Sequence, residues 1–198
     1  MNDKGKGGLL LLCGATVLLF GMMLAEFTFK GYSVSQNYIS DLGAYATMPA
    51  AFFNISIIVN GLMGICAGYL LRRSMGVKWF GEAIMLTGLG GVLVGIFNEA
   101  TIMAIHFVGA FMAFIFGGLA IFLSAKQVYR PPTSYLFYIL TVITFFFLAV
   151  QIAGFANVGD YLGLGQGGSE RMIVYPTLIW SIATGAHLAA SSQTTTKT

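Results

Sequence analysis

The feature that most constrains this chain is a series of apolar runs that are too long for a soluble core. Several exceed the roughly 18 residues that indicate a membrane-spanning helix, and the first extends from Gly7 to Phe29. Only 9% of the 198 residues are charged, against roughly a quarter in a soluble domain. Because so few polar groups cannot cover a water-facing surface, the sequence predicts an all-α, polytopic integral membrane protein.

The apolar runs divide the chain into six predicted spans that form a bundle. Their approximate bounds are 8–28, 50–71, 80–98, 102–125, 134–156 and 170–190. These spans and their connections use nearly the whole chain, so we expect a single transmembrane domain over residues 1–198.

The basic residues predict the orientation of the bundle. With the amino terminus inside, only Lys30 and Arg171 of the ten Lys and Arg residues face outward. The other eight are then cytoplasmic: Lys4, Lys6, Arg72, Arg73, Lys78, Lys126, Arg130 and Lys197. Basic residues favour the cytoplasmic side, so the sequence predicts cytoplasmic amino and carboxyl termini in the plasma membrane. Because membrane orientation explains the basic loops, the sequence predicts no nucleic-acid partner.

The cysteines and histidines give no sign of a metal site or a cofactor. Cys13 and Cys66 lie inside apolar runs without CxxC spacing, which is typical of inert packing residues. His106 and His187 are the only histidines, and they are predicted on opposite sides of the membrane. The sequence therefore predicts no metal and no cofactor.

Polar residues recur near the outer ends of several predicted spans, on the same faces as small residues. Small residues mark the sides of membrane helices that face other helices. Asn54, Asn98, His106 and Glu170 each lie on such a face. Ionisable residues inside a membrane are candidates for function, so we expect these four side chains to converge on an outward-facing polar pocket.

The stretch SQNYISDLGAY, from Ser35 to Tyr45, lies in the long outer connection between the first two spans. A connection of this length can fold back over the bundle. It would then bring Asn37, Tyr38, Ser40 and Asp41 to the pocket, and Asp41 next to His106. Alternatively, these are ordinary turn residues, and Asp41 caps a short helix through nearby backbone N–H groups.

Four short motifs resemble those of the prokaryotic membrane-protein family labelled domain of unknown function 998. They are YSVSQNYISDLG, FFN, GIFNE with IHFVGAF, and GSERMIVYPTLIW, and the resemblance covers about residues 9–188. The family implies six helices and no established reaction. Its motif positions correspond to Ser40, Asp41, Gly43, Asn54, His106, Glu170, Arg171, Tyr175 and Pro176.

Three interpretations of the pocket follow. A hydrolase or lipid-modifying enzyme would use His106 as base, oriented by Asp41 or Glu99, with Ser33, Ser40 or a water as nucleophile. A binding protein would hold a membrane lipid or an ion with Asn37, Tyr38, Asn54, Asn98, Glu170, Arg171 and Tyr175. A structural protein would use the same groups to fix helix register and would associate with a protein partner or a second copy.

Two further predictions concern Arg171 and Leu178 of the sixth predicted span. Arg171 should pair with an acid on another helix, Glu99 or Glu26, because its neighbour Glu170 points about 100° away. Leu178 should face lipid.

Overall fold

The computed structural model describes residues 1–44, 47–157 and 159–194, and within them all regular structure is helical. Tyr45 and Lys197, both named above, lie outside the described residues. The long helices are α1 (Asp3–Thr28), α2 (Met48–Met75), α3 (Phe80–Ile96), α4 (Met103–Gln127), α5 (Thr133–Phe155) and α6 (Gly165–Thr194). Short 3₁₀ helices occupy Ser40–Gly43 and Tyr161–Gly163.

The six predicted spans thus correspond to six helices, with shifted ends. Five of the helices are long and apolar enough to cross a membrane, whereas α3 has only 17 residues. At a rise of about 1.5 Å per residue, α3 is about 25 Å long. The largest shifts are at the starts of α1 and α6, which begin at Asp3 and Gly165 instead of near residues 8 and 170. Most of the helices are longer than the predicted spans, because polar residues at their ends continue the helix beyond the apolar segment.

The helices form a closed ring. Each long helix packs mainly against its neighbours in sequence, and α6 returns to pack against α1. Across the ring, α4 and α6 touch only weakly. We call the end of this ring that carries the first loop, residues 29–44, the loop end.

Glycines set the distance between most neighbouring helices. Gly61 of α2 lies against Gly88 of α3, and Gly90 of α3 lies against Gly109 of α4. On the other side of the ring, Gly8 of α1 lies against the backbone of α6 at Gly185. These contacts confirm that the glycine faces are helix-packing faces, as small residues allow close approach in membranes.

The α5 side of the ring is built differently. At the α4–α5 contact, Gly118 meets the ring of Phe145 and not another backbone. The α4–α5 contact therefore includes an aromatic side chain where the other contacts bring backbones together.

Candidate functional site

A cavity of about 120 Å³ lies inside the helix ring. Its wall is mainly apolar and comes from α1, α2, α3, α4, α6 and Ile39 and Ser40 of the first loop, but not from α5. On α6 the wall extends from Glu170 to Ser181, which is about 16 Å along a helix. We call this space the central cavity.

The ionisable residues of the central cavity, His106 and Glu170, both lie at the loop end. Deeper in the cavity the polar residues are neutral: Asn60, Thr87, Thr177, Trp180 and Ser181. The Thr87 hydroxyl donates to the Ala83 carbonyl of its own helix, so it offers little to a ligand. The cavity is therefore polar and ionisable at one end and largely apolar beyond it.

Four side chains form the polar wall at the loop end: Ser40, Glu99, His106 and Glu170. The Ser40 hydroxyl donates to Glu99 Oε1, and His106 Nε2 lies 3.5 Å from the same oxygen. Glu170 Oε2 accepts the backbone N–H of Ile39 at 2.5 Å. The wall thus joins the first loop, the α3–α4 connection, α4 and α6.

The hydrogen bond of His106 fixes one of its protons. Nδ1 lies 3.1 Å from the Phe97 carbonyl oxygen, and a carbonyl can only accept, so Nδ1 carries hydrogen. Nε2 is left to face the Glu99 carboxyl. Burial raises the pKa of Glu99, the Asp41 carboxylate raises it further, and Ser40 and His106 oppose the rise.

The first loop is folded so that residues Tyr38, Ile39 and Ser40 line cavities. Asp41 Oδ2 accepts from the Tyr38 backbone N–H at 2.9 Å and from Asn37 Nδ2 at 3.0 Å. These bonds lie within the first loop, and the Ser40–Gly43 helix has no side-chain cap. Asp41 is not among the residues that line the two cavities at this end. Asp41 acts on the polar wall through its effect on Glu99.

Arg171 holds the first loop against α1 and α6. Its guanidinium pairs with Glu26 Oε1 at 2.5 Å and contacts the Tyr32 hydroxyl at 2.6 Å. It also donates to the carbonyls of Val34, Asn37 and Gly167. The prediction that Arg171 pairs with an acid on another helix is confirmed, with Glu26 as the partner.

The glycine-rich start of α6 completes this attachment. The backbone N–H groups of Gly167 and Gly168 donate to the Ser35 carbonyl. A β-carbon at Gly167 would collide with loop carbonyls, so glycine allows the close approach. The segment from residue 159 to Glu170 is mostly helical, and its α6 part packs against the first loop.

A second space, the side cavity, has a volume of about 110 Å³ and lies between α4, α5 and the first loop. It shares the polar residues Ser40, His106 and Glu170 with the central cavity. Glu99, Tyr38 and Gln151 also line it. Burial raises the pKa of the Tyr38 hydroxyl above its ordinary value, which keeps this group protonated.

Several predicted pocket residues lie elsewhere. Asn54 donates to the Gly43 carbonyl and fixes the end of the first loop, while Asn98 accepts from Ala100 N–H within its own turn. Tyr175 is 37% exposed, and Leu178, expected to face lipid, is 6% exposed and lines the central cavity. The expectation that all four helices aim a polar side chain into one pocket was therefore wrong for Asn54 and Asn98, whose amides bind nearby backbone groups.

Two tyrosines that contribute to the loop end of the site were not predicted from the sequence. Tyr32 binds Arg171, and the Tyr161 hydroxyl meets that of Tyr38 at 3.2 Å. Both tyrosines follow glycine or aspartate in connecting segments, which is an ordinary loop context that gives no signal of burial. Within residues 1–44, 47–157 and 159–194, no three His, Cys, Asp or Glu side chains are grouped so that they could hold a metal ion.

Of three comparisons with known proteins, one found a match. Searches of curated proteins and of solved structures each found no match. A family model described as "Protein of unknown function (DUF998)" matches residues 12–187. That range includes the polar wall, Arg171 and all the residues that line both cavities except Leu11, and the chain belongs to the DUF998 family.

Proposed function

We propose that this protein crosses the plasma membrane six times, with α3 as the sixth span, both termini in the cytoplasm and the loop end outside. The support is the distribution of the basic residues: of the nine that the structure describes, only Lys30 and Arg171 lie at the loop end. Arg171 is 4% exposed and paired with Glu26, so it does not weaken this bias.

Cysteine labelling tests the orientation in a background lacking Cys13 and Cys66. We expect Gln36→Cys, an exposed position in the first loop, to react with a membrane-impermeant maleimide in intact cells. Ser74→Cys, exposed at the other end of the bundle, should react only after the membrane is opened. Labelling of position 36 exclusively from the cytoplasmic side would show that the orientation is reversed.

We further propose that the protein binds a membrane amphiphile, with the apolar chain in the central cavity and the polar end at the polar wall. The observation that carries this proposal is the one-ended distribution of ionisable groups in the cavity. His106 and Glu170 lie at the loop end, and Leu11, Leu18 and Ile84 line the interior. A cavity with this gradient matches a molecule that has one polar end and one apolar end.

The burial of His106 and Glu170 also favours a ligand whose polar end lies at the polar wall. His106 is 3% exposed and Glu170 is 7% exposed, and a buried polar group is costly unless it is hydrogen-bonded. His106 faces the Phe97 carbonyl through Nδ1 and the Glu99 carboxyl through Nε2. Glu170 accepts the Ile39 N–H through one of its two oxygens. Both side chains also border the cavity, so the polar end of a ligand can form further hydrogen bonds with them.

The test is retention of bound lipid when the cavity is filled. Ser181→Leu adds apolar volume to the cavity wall, and Ala183→Leu adds it to an exposed position on the same helix. We expect protein purified in mild detergent to carry bound amphiphile in the wild type and in Ala183→Leu. Ser181→Leu should lose at least about nine-tenths of it, which corresponds to roughly 1.4 kcal/mol of binding energy. Equal retention by both variants would contradict the proposal.

The hydrolase interpretation has weaker geometric support. A serine nucleophile requires a base that accepts its proton, but the Ser40 hydroxyl donates to Glu99 and not to His106. The Ser33 hydroxyl accepts the Gln36 N–H in a turn.

A structural role is supported for the Arg171 cluster alone. Its contacts attach the first loop to α1 and α6, and this attachment keeps Ile39 and Ser40 in the cavity wall. The cluster therefore serves the binding site, because it holds the loop that completes it. Association with a protein partner or a second copy remains a prediction.

A further inference from the structure

The side cavity has a polar atom without a protein partner. Gln151 of α5 is 2% exposed, and among the described residues nothing hydrogen-bonds to its Oε1. A buried amide oxygen that forms no hydrogen bond is costly. Gln151 lines the side cavity, so a group in that cavity can reach it.

The polar lining of the side cavity consists mostly of hydrogen-bond acceptors. Glu99 and Glu170 contribute carboxyl groups, Gln151 contributes its amide oxygen, and Tyr38 and Ser40 contribute hydroxyls. No Lys or Arg is among the described residues that line it. Arg171 follows the lining residue Glu170 in sequence. Its guanidinium already binds Glu26, Tyr32 and three carbonyls. A phosphate in this cavity would meet two carboxyl groups, and His106 is the one basic side chain among the described residues that line it, so no Lys or Arg balances the phosphate charge.

The side cavity also reaches the outer surface of the helix bundle. Met103, Phe107 and Phe155 line it and are 49%, 39% and 43% exposed. These residues lie on α4 and α5 at the loop end, where the membrane surrounds the protein. An amphiphile can therefore pass from the membrane into the side cavity between α4 and α5, and the shared residues Ser40, His106 and Glu170 connect it to the central cavity.

We propose that the side cavity binds the head group of the amphiphile, that this head group is a hydrogen-bond donor without negative charge, an amine or a hydroxyl, and that Gln151 accepts one of its hydrogens. This inference rests on the proposed function, because the chain of the same molecule occupies the central cavity. The side cavity would therefore bind head groups that donate hydrogen bonds, and it would exclude phosphate head groups.

Quenching of Trp180 can measure both parts of the site. Trp180 lines the central cavity, and the other tryptophan, Trp79, is 60% exposed and is removed as Trp79→Phe. The probes are three amphiphiles with the same twelve-carbon chain, brominated at the end: an amine, an alcohol and a phosphate. Binding that brings the bromine into the central cavity quenches Trp180 and gives an apparent Kd for each head group.

We expect the amine and the alcohol to bind at least about tenfold more tightly than the phosphate. Gln151→Leu should weaken the amine and alcohol about fivefold to tenfold, as expected for one lost hydrogen bond, and leave the phosphate unchanged. Thr141→Val is the matched control on α5, because the Thr141 hydroxyl donates within its own helix and lies outside the cavity.

Two results would overturn the inference in distinguishable ways. If all three probes quench Trp180 with equal Kd, or Gln151→Leu affects the phosphate as much as the amine, the head-group assignment is wrong while chain binding stands. If none quenches Trp180, the central cavity does not hold the chain and the proposed function fails together with this inference.

Discussion

Arg171→Ala should be the most destabilising single substitution at the loop end, by about 3–5 kcal/mol, the cost typical of removing one partner from a buried ion pair. The substitution leaves Glu26, whose side chain is 21% exposed, without its cation. It also removes donors from the Val34, Asn37 and Gly167 carbonyls. Thermal unfolding of the protein in detergent, followed by circular dichroism, measures the effect.

The matched control is Ile179→Ala, at a position on the same helix that is 52% exposed. A third variant, Arg171→Lys, retains the charge but not the planar set of donors that reaches several acceptors at once. It should be intermediate. If Arg171→Ala unfolds at the same temperature as Ile179→Ala, the Arg171 cluster does not hold the loop.

Gly88→Ala should be nearly as damaging, because α2 and α3 touch backbone to backbone at this residue. A β-carbon at Gly88 would lie 2.5 Å from the Gly61 carbonyl oxygen, so the helices would have to separate. Overpacking of this kind typically costs about 1–3 kcal/mol. Loss of thermal stability, or of folded protein on size-exclusion chromatography, is the expected readout.

Gly91→Ala provides the control on the same helix and nearly the same face. Its β-carbon would lie 3.6 Å from Ile57, which is ordinary contact. Alanine is preferred to glycine in helices by about 1 kcal/mol, so this variant should be neutral or slightly more stable. If both variants behave alike, the α2–α3 contact is looser than the structure describes.

The parts of this fold that the sequence predicted depend on periodicity. Apolar runs predicted the six helices, and the stripes through Gly61, Gly88 and Gly109 predicted which faces pack. Topology alone was enough to narrow the partner of Arg171 to two acids, Glu26 and Glu99. Ser40, His106 and Glu170 were also predicted at one site, and they share both cavities.

Prediction failed where the backbone path of a loop decides what a side chain contacts. Asn98 lies on the predicted face, but the helix ends at Ile96, so its amide binds its own turn. Asp41 was a candidate cap of a short helix, but its carboxylate binds the N–H of Tyr38 within the loop, and the Ser40–Gly43 helix has no side-chain cap. Closure of the ring could not be anticipated either, and it is what places Leu178 inside the bundle.

The most direct test of the account is the identity of what the wild-type protein carries when it is released from mild detergent in a mass spectrometer. The central cavity and the side cavity share the polar residues Ser40, His106 and Glu170, and in the proposed function they form one binding region. We predict one bound amphiphile per chain, with an amine or hydroxyl head group and no phosphate. Bare protein under conditions that preserve its fold would contradict the account.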